Sequence, residues 1–242
     1  MKGVILAGGT GSRLSPLTKV TNKHLLPVGP LPMILHSVKK MVDVKITDIM
    51  VITGTEHMGD MVSLLGSGKS YGCNFTYRIQ DEPDGIAGAL SLCEGFVGDD
   101  SCVVILGDNI FEDSLNNVVE KFLSLKKERK HLSTCALALK EVLDPQRFGV
   151  AEILGNTIRG IEEKPKHPKS NLCITGIYVY DNTVFNIIKS LRKSNRGEYE
   201  VTDINNSYVD AGGVTFTRLQ GWWSDAGTHE SYHRANILAH KE

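Results

Sequence analysis

The chain has no long hydrophobic run, and no segment approaches the ~20 consecutive apolar residues that a membrane-spanning helix requires. It also has no excess of either charge, because 27 basic and 28 acidic residues give a net charge of −1. No global field would therefore attract nucleic acid or an anionic membrane surface. The amino terminus shows no charged leader before an apolar core and enters a strand-like run at once. We expect a cytoplasmic protein that binds neither nucleic acid nor membranes, with any anion site being local.

Paired cysteines are absent as well. The cysteines are odd in number and form no Cys-x-x-Cys motif, which argues against a disulfide framework or a zinc cluster. His229 and His233 have the i, i+4 spacing of half a zinc site, but no third ligand follows at a suitable distance. We interpret them as surface or packing histidines. Reduced and mostly buried thiols are expected at Cys73, Cys93, Cys102, Cys135 and Cys173.

A glycine cluster directly follows an apolar strand at the start of the chain. Lys2–Leu6 reads as the strand, Gly8–Gly11 as the cluster, and the cations Arg13 and Lys23 come close behind. Glycines let a backbone approach polyphosphate, and nearby cations neutralise the phosphate charge. The glycines alone would equally suit a turn after a buried strand. Together with the cations they predict a nucleoside triphosphate site.

Two common phosphate motifs do not describe this segment. A Walker loop ends in Gly-Lys-Ser/Thr, whereas Gly11 is followed by Ser12 and Arg13. A dinucleotide fingerprint that starts at Gly9 needs a small residue at the position that Leu14 occupies. Both motifs are therefore excluded.

Apolar strands alternate with helical patterns in the first half of the chain, which predicts an α/β fold with a doubly wound, mostly parallel, Rossmann-like sheet. The strand candidates are Val4–Leu6, Ile49–Ile52 and Val103–Leu106, and the helix candidates are Pro32–Val42, Gly59–Leu65, Ile86–Cys93 and Leu115–Leu125. The polar exits of these strands should meet at one edge of the sheet. After Thr134, strand pieces interrupted by prolines predict a smaller, mixed β insertion, and a last helix is expected from Thr228 to His240.

Ordered sequence blocks cover almost the whole chain, and together they resemble the sugar-1-phosphate nucleotidylyltransferases. The blocks are Gly8–Leu14, Pro16–Lys19, Asn22–Val28, Gln80–Ala87, Leu106–Asn109, Arg147–Val150, Glu162–Pro165, Thr175–Tyr178, Arg196–Glu198 with Thr202–Asn205, and Trp223–Thr228. The resemblance implies a single nucleotidyltransferase domain over 1–242. Within it, 1–133 would mainly bind the nucleotide, and 134–242 would mainly bind the sugar phosphate.

Within that family the resemblance is greatest to members that join dTTP to α-D-glucose 1-phosphate. It implies release of pyrophosphate, formation of dTDP-glucose for dTDP-rhamnose or related sugars, a Mg²⁺ cofactor and a homo-oligomer. Two alternatives stay open: the same chemistry with UTP, CTP or another sugar 1-phosphate, and a non-catalytic regulator that binds nucleotide sugars. A regulator of that kind would be expected to lack a metal-binding carboxylate or a phosphate-binding cation. The residues that the resemblance assigns to these roles are all present, namely Asp108, Asp225, Arg13, Lys23 and Lys164. A dehydrogenase is disfavoured because the dinucleotide fingerprint is missing.

The resemblance also assigns the nucleotide end of the site. It makes Asp108 and Asp225 the Mg²⁺ ligands, and Arg13 and Lys23 the partners of the β- and γ-phosphates. Two carboxylates with phosphate oxygens are a common Mg²⁺ environment, although either aspartate alone would also suit a turn or a helix cap. The implied nucleotide-binding residues are Leu6, Gly8, Gly9, Gly11, Ser12, Arg13, Lys23, Gln80, Pro83, Gly85 and Asp108.

The sugar-phosphate end is assigned in the same way. Lys164 would neutralise the attacking phosphate, which makes the implied catalytic set Arg13, Lys23, Asp108, Lys164 and Asp225. We expect Pro165 to hold Lys164 in an extended backbone. An ordinary surface pair of Glu163 with Lys164 is the alternative. The implied sugar-phosphate-binding residues are Asn109, Phe148, Gly149, Glu163, Lys164, Ile174, Gly176, Tyr178 and Arg196.

The chain departs from the family pattern in three places. Phe148 replaces a common Tyr and so loses one hydroxyl. Gly29–Pro32 replaces Tyr-Asp-Lys-Pro and so loses a basic residue. Longer members also continue past the helix that is predicted to end near His240, and they use that tail for regulation or subunit contacts. The resemblance therefore leaves feedback control and the usual mode of assembly open for this chain.

Overall fold

The structure is a computed structural model that describes residues 1–130 and 132–240. Its strands are β1 (Lys2–Ala7), β2 (Pro27–Val28), β3 (Leu31–Pro32), β4 (Asp48–Gly54), β5 (Asn74–Gln80), β6 (Cys102–Leu106), β7 (Ile110–Phe111), β8 (Cys135–Glu141), β9 (Gly149–Leu154), β10 (Thr157–Glu163), β11 (Leu172–Tyr180), β12 (Val214–Arg218) and β13 (Trp223–Ser224). Its helices are α1 (Met33–Asp43), α2 (Met58–Leu65), α3 (Ile86–Ser91), α4 (Glu94–Val97), α5 (Asn116–Glu128), α6 (Val184–Ser190), α7 (Val201–Asp210) and α8 (His229–Ala239).

The chain divides into two compact units that are each discontinuous in sequence. The first unit consists of Met1–Pro83, Val104–Leu115 and Gly221–Glu242, and the second consists of Asp84–Val103 and Asn116–Gln220. The assignment of 1–133 and 134–242 to two different ligands stays a prediction.

The first unit is built on parallel strands with buried, β-branched side chains. β1 pairs in parallel with β4, with Val4 opposite Met50, and β4 pairs in parallel with β5. The last residues of β6 flank β1 on its other side. Val4, Ile5 and Ile52 are fully buried, as expected for strands covered on both faces. Because the strands of such a sheet run the same way, their exits lie at one edge, as the sequence predicted.

The carboxyl-terminal segment belongs to the first unit. β13 pairs antiparallel with β7, so that Ser224 lies opposite Ile110. Helix α8 then begins with a capping box, in which Thr228 Oγ1 accepts from Ser231 N and Ser231 Oγ lies 3.1 Å from Thr228 N. This confirms the predicted last helix within a residue at each end.

The second unit carries a mixed sheet in the order β10-β9-β11-β8-β12. The neighbours β10/β9, β9/β11 and β11/β8 are antiparallel, whereas β8/β12 is parallel. Tyr180 stacks between Tyr178 and Tyr208, with ring centroids 5.8 and 5.7 Å away, and its hydroxyl donates to Asn205 Oδ1. The predicted mixed β part is confirmed.

Several details differ from the expectations. α3 ends at Ser91 rather than Cys93, because the chain turns before α4 begins at Glu94. The sequence patterns did not identify strands β5, β10 and β12 or helices α6 and α7. All five cysteines are buried, and none of them forms a disulfide in the described part of the chain. Among the helices of the described residues, none has both the length and the apolar character to cross a bilayer.

Candidate active site

The glycine cluster lies where β1 and β4 end side by side. A Cβ on Gly8 would lie 3.0 Å from Gln80 Oε1 and 3.5 Å from Gly54 N. Gln80 ends β5 and pairs in register with Gly54. Gln80, one of the residues implied to bind the nucleotide, therefore stands directly beside the predicted phosphate loop.

Only one of the three glycines requires a left-handed backbone. Gly11 has φ +66°, and a Cβ there would come within 2.8 Å of Thr18 Cγ2 and 3.1 Å of Lys23 Cβ. Thr18 Oγ1 donates to Gly11 O at 2.9 Å and fixes the loop. A side chain at Gly9 would meet Lys23 Cε at 3.3 Å. The glycines thus leave room for the aliphatic stem of Lys23 to lie over the loop.

A pocket of about 190 Å³ opens beside this loop in the first unit. Of the residues predicted to bind nucleotide, it contains Gly8, Gly9, Gln80 and Pro83. Residues that the sequence patterns did not assign complete its wall, namely Thr10, Thr18, Thr21, Asn22, Gly54, Thr55, Glu56, His57 and Asp81. These residues have one feature in common that the sequence could have shown. They lie at the end of β4 or in the polar segments that follow β1, β4 and β5.

Lys23 and Asp108 form a close ion pair. Lys23 Nζ lies 2.5 Å from Asp108 Oδ2, and the two side chains are only 11% and 15% exposed. Burial on its own would raise the pKa of the Asp108 carboxyl. The charge and hydrogen bond of Lys23, with a bond from Asn109, outweigh burial and hold the pKa below its ordinary value. Asp108 is therefore a carboxylate at neutral pH.

Asp225 and Arg13 approach the same place. A Cβ on Gly227 would lie 3.2 Å from Arg13 Nη2, 3.2 Å from Asp225 O and 3.6 Å from Asp108 Oδ2. The β7/β13 pairing places Asp225 immediately after Ser224 of that pair. The structure thus brings the side chains of Arg13, Lys23 and Asp108 to the turn that contains the backbone of Asp225, and these four residues were predicted from different sequence blocks.

Asn109 is engaged by its own neighbours. Its Nδ2 donates to Asp108 Oδ1 at 3.0 Å, and its Oδ1 accepts from Trp223 Nε1 at 2.7 Å. Trp223 therefore orients the Asn109 amide, which in turn orients the Asp108 carboxylate. The predicted contact of Asn109 with a sugar phosphate stays a prediction.

His24 lies beneath the Asp108 turn and was not assigned a role from the sequence. Burial, followed by the charge of Lys23, lowers the pKa of His24 to about 3, although the charge of Asp108 acts in the opposite direction. The imidazole is consequently neutral at neutral pH. Asn22 Oδ1 accepts from the His24 backbone N–H at 2.9 Å and lies 2.7 Å from His24 Nδ1.

In the second unit, the end of β10 gathers part of the predicted sugar-phosphate set. Glu163 pairs with Gly149 across β9 and β10, and Lys164 N donates to Phe148 O at 3.0 Å. Thr202 Oγ1 donates to Glu163 Oε2 at 2.7 Å. A Cβ on Gly149 would lie 3.3 Å from both atoms of that bond. Thr202 lies in one of the sequence blocks but was given no role, and its contact requires α7 to pack against β10.

The backbone prediction for Lys164 was wrong. We expected Pro165 to keep it extended, but Lys164 has φ +45°, a region that non-glycine residues rarely occupy. The β9/β10 ladder continues to the Lys164 N–H, and the chain must leave the sheet before the buried Pro165. Strained residues of this kind are often found at functional sites.

Arg196 is bonded to carboxylates. Its Nε and Nη2 donate to Glu200 Oε1 and Oε2 at 3.1 and 2.6 Å, and Glu163 Oε1 lies 3.7 Å from Nη2. The bonds to Glu200 raise the pKa of the guanidinium above its ordinary value. Lys164 Nζ lies 3.8 Å from Glu163 Oε1, so the surface pair considered as an alternative does occur.

The remaining predicted residues lie along β11 and before α3. Ile174, Gly176 and Tyr178 all lie in β11 and are buried, and the pairing of β11 with β8 is irregular between Ile174 and Tyr178. Gly85 has φ +98°, and a Cβ there would come within 2.7 Å of Tyr199 O. Gly85 belongs to the second unit, whereas Leu6, Ser12 and Pro83 belong to the first.

The carboxylates of Asp108 and Asp225 are the type of ligand that Mg²⁺ prefers. Mg²⁺ binds through one or two carboxylates and completes its octahedron with phosphate oxygens and water. Asp108 and Asp225 supply that number of carboxylates. In residues 1–130 and 132–240, no group of three or more His, Cys, Asp or Glu side chains could form an all-protein metal cage. His229, whose Nε2 lies 2.8 Å from Ser15 O, does not belong to such a group.

A glycine loop and an acidic strand exit at the edge of a parallel sheet define an α/β protein of the nucleotide-binding type. The chain belongs to the nucleotidyl transferase family, whose model matches residues 2–242. Relatives of this chain are named as thymidylyl- or nucleotidyltransferases. Their names support an enzyme that transfers a nucleotidyl group to a sugar 1-phosphate.

Three relatives illustrate the similarity. A glucose-1-phosphate thymidylyltransferase of Neisseria meningitidis is 41% identical, over 97% of this chain and 81% of its own. The low-salt glycan biosynthesis nucleotidyltransferase Agl11 of Haloferax volcanii is 40% identical, over 98% of this chain and 66% of its own. A crystal structure from Bacillus anthracis, described as a candidate glucose-1-phosphate thymidylyltransferase in complex with sucrose, is 59% identical with a TM-score of 0.94. It covers 100% of this chain and 96% of that one.

Proposed function

We propose that this protein transfers the thymidylyl group of dTTP to α-D-glucose 1-phosphate and so forms dTDP-glucose and pyrophosphate. The observation that carries the proposal is the grouping of the Arg13, Lys23 and Asp108 side chains beside the Asp225–Gly227 turn, at the exits of β1, β6 and β13. The names of two relatives support the choice of substrates. The product would serve the synthesis of dTDP-rhamnose or a related sugar.

The chemistry requires positioning and charge neutralisation more than a base. An oxygen of the sugar phosphate attacks the α-phosphorus in line, and pyrophosphate leaves. Because that oxygen is already ionised near neutral pH, no side chain has to remove a proton from it. Charge that develops on the leaving pyrophosphate must instead be stabilised. Cations and carboxylates are the groups that the site contains.

At the phosphate end, Lys23 and Arg13 provide the cations. The stem of Lys23 lies over Gly9 and Gly11, so its ammonium is held beside the loop where the β- and γ-phosphates would bind. Arg13 is exposed and can turn its planar fork toward two phosphate oxygens. In the absence of nucleotide, Asp108 keeps the Lys23 ammonium neutralised.

Asp108 and Asp225 would hold Mg²⁺. When bound there, the ion would neutralise phosphate oxygens and help the pyrophosphate to depart. Asn109 and Trp223 fix the orientation of Asp108 through the two hydrogen bonds described above. The site therefore orients one metal carboxylate before any ligand binds.

At the base end, Gln80 is the candidate selector. Its amide can donate to and accept from a pyrimidine edge, and its Oε1 lies beside Gly8 at the pocket wall. Backbone groups near Pro83 and Gly85 would add further contacts.

Sugar 1-phosphate would bind through residues of the second unit. Glu163, held by Thr202, would accept hydrogen bonds from sugar hydroxyls. Lys164 would neutralise the phosphate from a backbone position with φ +45° at the end of the β9/β10 ladder. For Arg196 to bind the same phosphate, its bonds to Glu200 would have to be exchanged for bonds to phosphate oxygens.

A different sugar 1-phosphate is the second candidate. The Haloferax volcanii relative is about as similar as the thymidylyltransferase, and its name specifies glycan biosynthesis without naming a sugar 1-phosphate. UTP and CTP also remain to be compared with dTTP.

The test is a pyrophosphate-release assay of dTTP, UTP, CTP and GTP against a panel of hexose 1-phosphates, with Mg²⁺ or with chelator. We expect the highest kcat/KM for dTTP with glucose 1-phosphate and loss of turnover in chelator. Equal or better turnover with CTP or GTP would refute the thymidylyl assignment. No release from any pair would favour the non-catalytic regulator.

A further inference from the structure

Two buried polar residues flank Lys23, and the proposed function gives neither of them a role, although Asn22 also lines the pocket beside the glycine loop. Asn22 and His24 are only 7% and 2% exposed. Lys23 begins a short 3-10 turn that ends at Leu25, and Asn22 is its N-cap. Buried polar side chains are retained when their hydrogen bonds are satisfied, and such bonds fix their geometry.

Asn22 uses both ends of its amide. Its Nδ2 donates to Ala7 O, the last carbonyl of β1, at 3.2 Å. Its Oδ1 accepts from His24 N at 2.9 Å and lies 2.7 Å from His24 Nδ1. Since this oxygen can only accept, the His24 proton lies on Nδ1. Asn22 therefore fastens the turn to the exit of β1.

The His24 ring fastens the turn to the exit of β6. A Cβ on Gly107 would lie 2.8 Å from His24 Cδ2 and 3.2 Å from Nε2, so the ring packs on the Gly107 backbone. Gly107 N donates to Leu6 O at 2.9 Å, which joins the two strand exits. Asp108 is the next residue along the chain. The ring therefore supports the segment that carries the carboxylate.

Lys23 lies between the residue that bonds to the exit of β1, Asn22, and the residue that packs at the exit of β6, His24. The Nζ of Lys23 reaches Asp108 Oδ2. A shift of the turn against either strand exit would change the position of the ammonium relative to the carboxylate. Even about 1 Å of misplacement can cost a catalytic site about 100-fold in rate.

We propose that Asn22 and His24 are positioning residues, forming a clamp that sets the place of the Lys23 ammonium relative to Asp108 and the glycine loop. The inference deepens the proposed function and rests on it, because Lys23 is assigned there to the triphosphate. Neither clamp residue is catalytic, since each acts through Lys23.

Three substitutions separate the parts of the clamp. His24→Asn keeps a donor near the position of Nδ1 but removes the ring from Gly107. His24→Phe keeps a ring but removes the donor to Asn22. Asn22→Ser is a milder change, because serine still caps the turn but cannot reach both Ala7 and His24. Tyr71→Phe, which removes only a bond to Leu64 O, is the matched control.

The experiment is a double-mutant cycle between His24→Phe and Lys23→Ala, repeated with Asn22→Ser in place of His24→Phe. The readouts are kcat, KM, the affinity for the nucleoside triphosphate in chelator, and the thermal midpoint. The triphosphate is whichever one the wild-type protein turns over, so a failure of the thymidylyl assignment is seen separately in the wild type. Should His24→Phe not fold, the Asn22→Ser cycle tests the clamp by itself.

We expect His24→Phe and Asn22→Ser to lower kcat and metal-free triphosphate affinity about tenfold in the wild-type background. In the Lys23→Ala background the same changes should have less than about twofold effect, and Tyr71→Phe should match the wild type. Equal losses in both backgrounds, or a lower thermal midpoint with unchanged kcat and affinity, would overturn the proposal in favour of a purely structural role.

Discussion

Replacing Asp108 with asparagine tests the phosphate end of the site. Asp108→Asn keeps the size of the side chain and the acceptor near Asn109 but removes the negative charge that faces Lys23. The proposed metal would lose one of its two carboxylates. We expect kcat to fall about 100-fold or more, the loss typical of a key electrostatic contact and equal to about 2.7 kcal/mol of transition-state stabilisation.

The same change has a cost for stability that follows from burial. The Lys23 and Asp108 side chains are 11% and 15% exposed, between a solvent-exposed pair and a fully buried one. Exposed pairs contribute up to about 1 kcal/mol, and breaking a buried pair costs about 3–5 kcal/mol. Because asparagine can still accept one bond from Lys23, we expect the free energy of unfolding to fall by about 1–3 kcal/mol.

The kinetic assay is pyrophosphate release at saturating substrates, and the stability assay is urea unfolding. Asp48→Asn is the matched control, since Asp48 forms an exposed ion pair with Lys2 at 2.9 Å on the opposite edge of the sheet. It should leave kcat unchanged and cost less than about 1 kcal/mol. Wild-type kcat in Asp108→Asn would refute the role given to this carboxylate.

Four further outcomes are expected. Asp225→Asn should lower kcat by about 100-fold or more, because it removes the other metal carboxylate. Lys164→Ala should raise the KM for the sugar phosphate far more than the KM for dTTP, and unchanged KM and kcat would remove its role. The folded pKa of His24, about 3, lies below its ordinary value of 6.5, so the unfolded chain binds the extra proton. Stability is therefore present above pH 6.5 and lost as pH falls toward 3, by about 2 kcal/mol between pH 7 and 5. Gly107→Ala should cost about 1–3 kcal/mol, because its Cβ would meet the rigid His24 ring at 2.8 Å.

Controls for these changes use the same two assays. The pH effect is checked by urea unfolding between pH 5 and 7 in wild type and in His24→Asn, which should show a shallower dependence by up to one proton. An unchanged dependence would show that His24 does not carry the effect. Adding His24→Asn to Gly107→Ala should recover part of the lost stability, because asparagine leaves space where the ring stood.

The parallel strands and their exits could be predicted from the sequence because their signals are local. Val4–Leu6 and Ile49–Ile52 are continuous apolar runs rich in β-branched residues, and a glycine or a polar residue follows each within two positions. Parallel strands necessarily bring such exits to one edge. The meeting of the β1 exit with Gly54 and Gly107 therefore follows from topology alone.

Other features depend on contacts between distant parts of the chain, which no local pattern reports. The role of His24 depends on the missing Cβ of Gly107, and that of Thr202 depends on the position of Glu163. The backbone of Lys164 was mispredicted because the β9/β10 ladder, and not the local effect of Pro165, determines where the chain turns. β5 was missed because it has no buried residue and no continuous apolar run, although Phe75, Tyr77 and Ile79 alternate with polar residues.

The proposed function depends above all on Arg13, Lys23, Asp108 and Asp225 forming one site for a nucleoside triphosphate and its metal ion. A crystal structure of the protein grown with dTTP and magnesium would test this directly. We expect a triphosphate along Gly8–Gly11 within hydrogen-bond distance of Arg13 and Lys23, and Mg²⁺ about 2.1 Å from oxygens of both aspartates. A nucleotide bound away from the glycine loop, or a metal ion held by neither carboxylate, would contradict it.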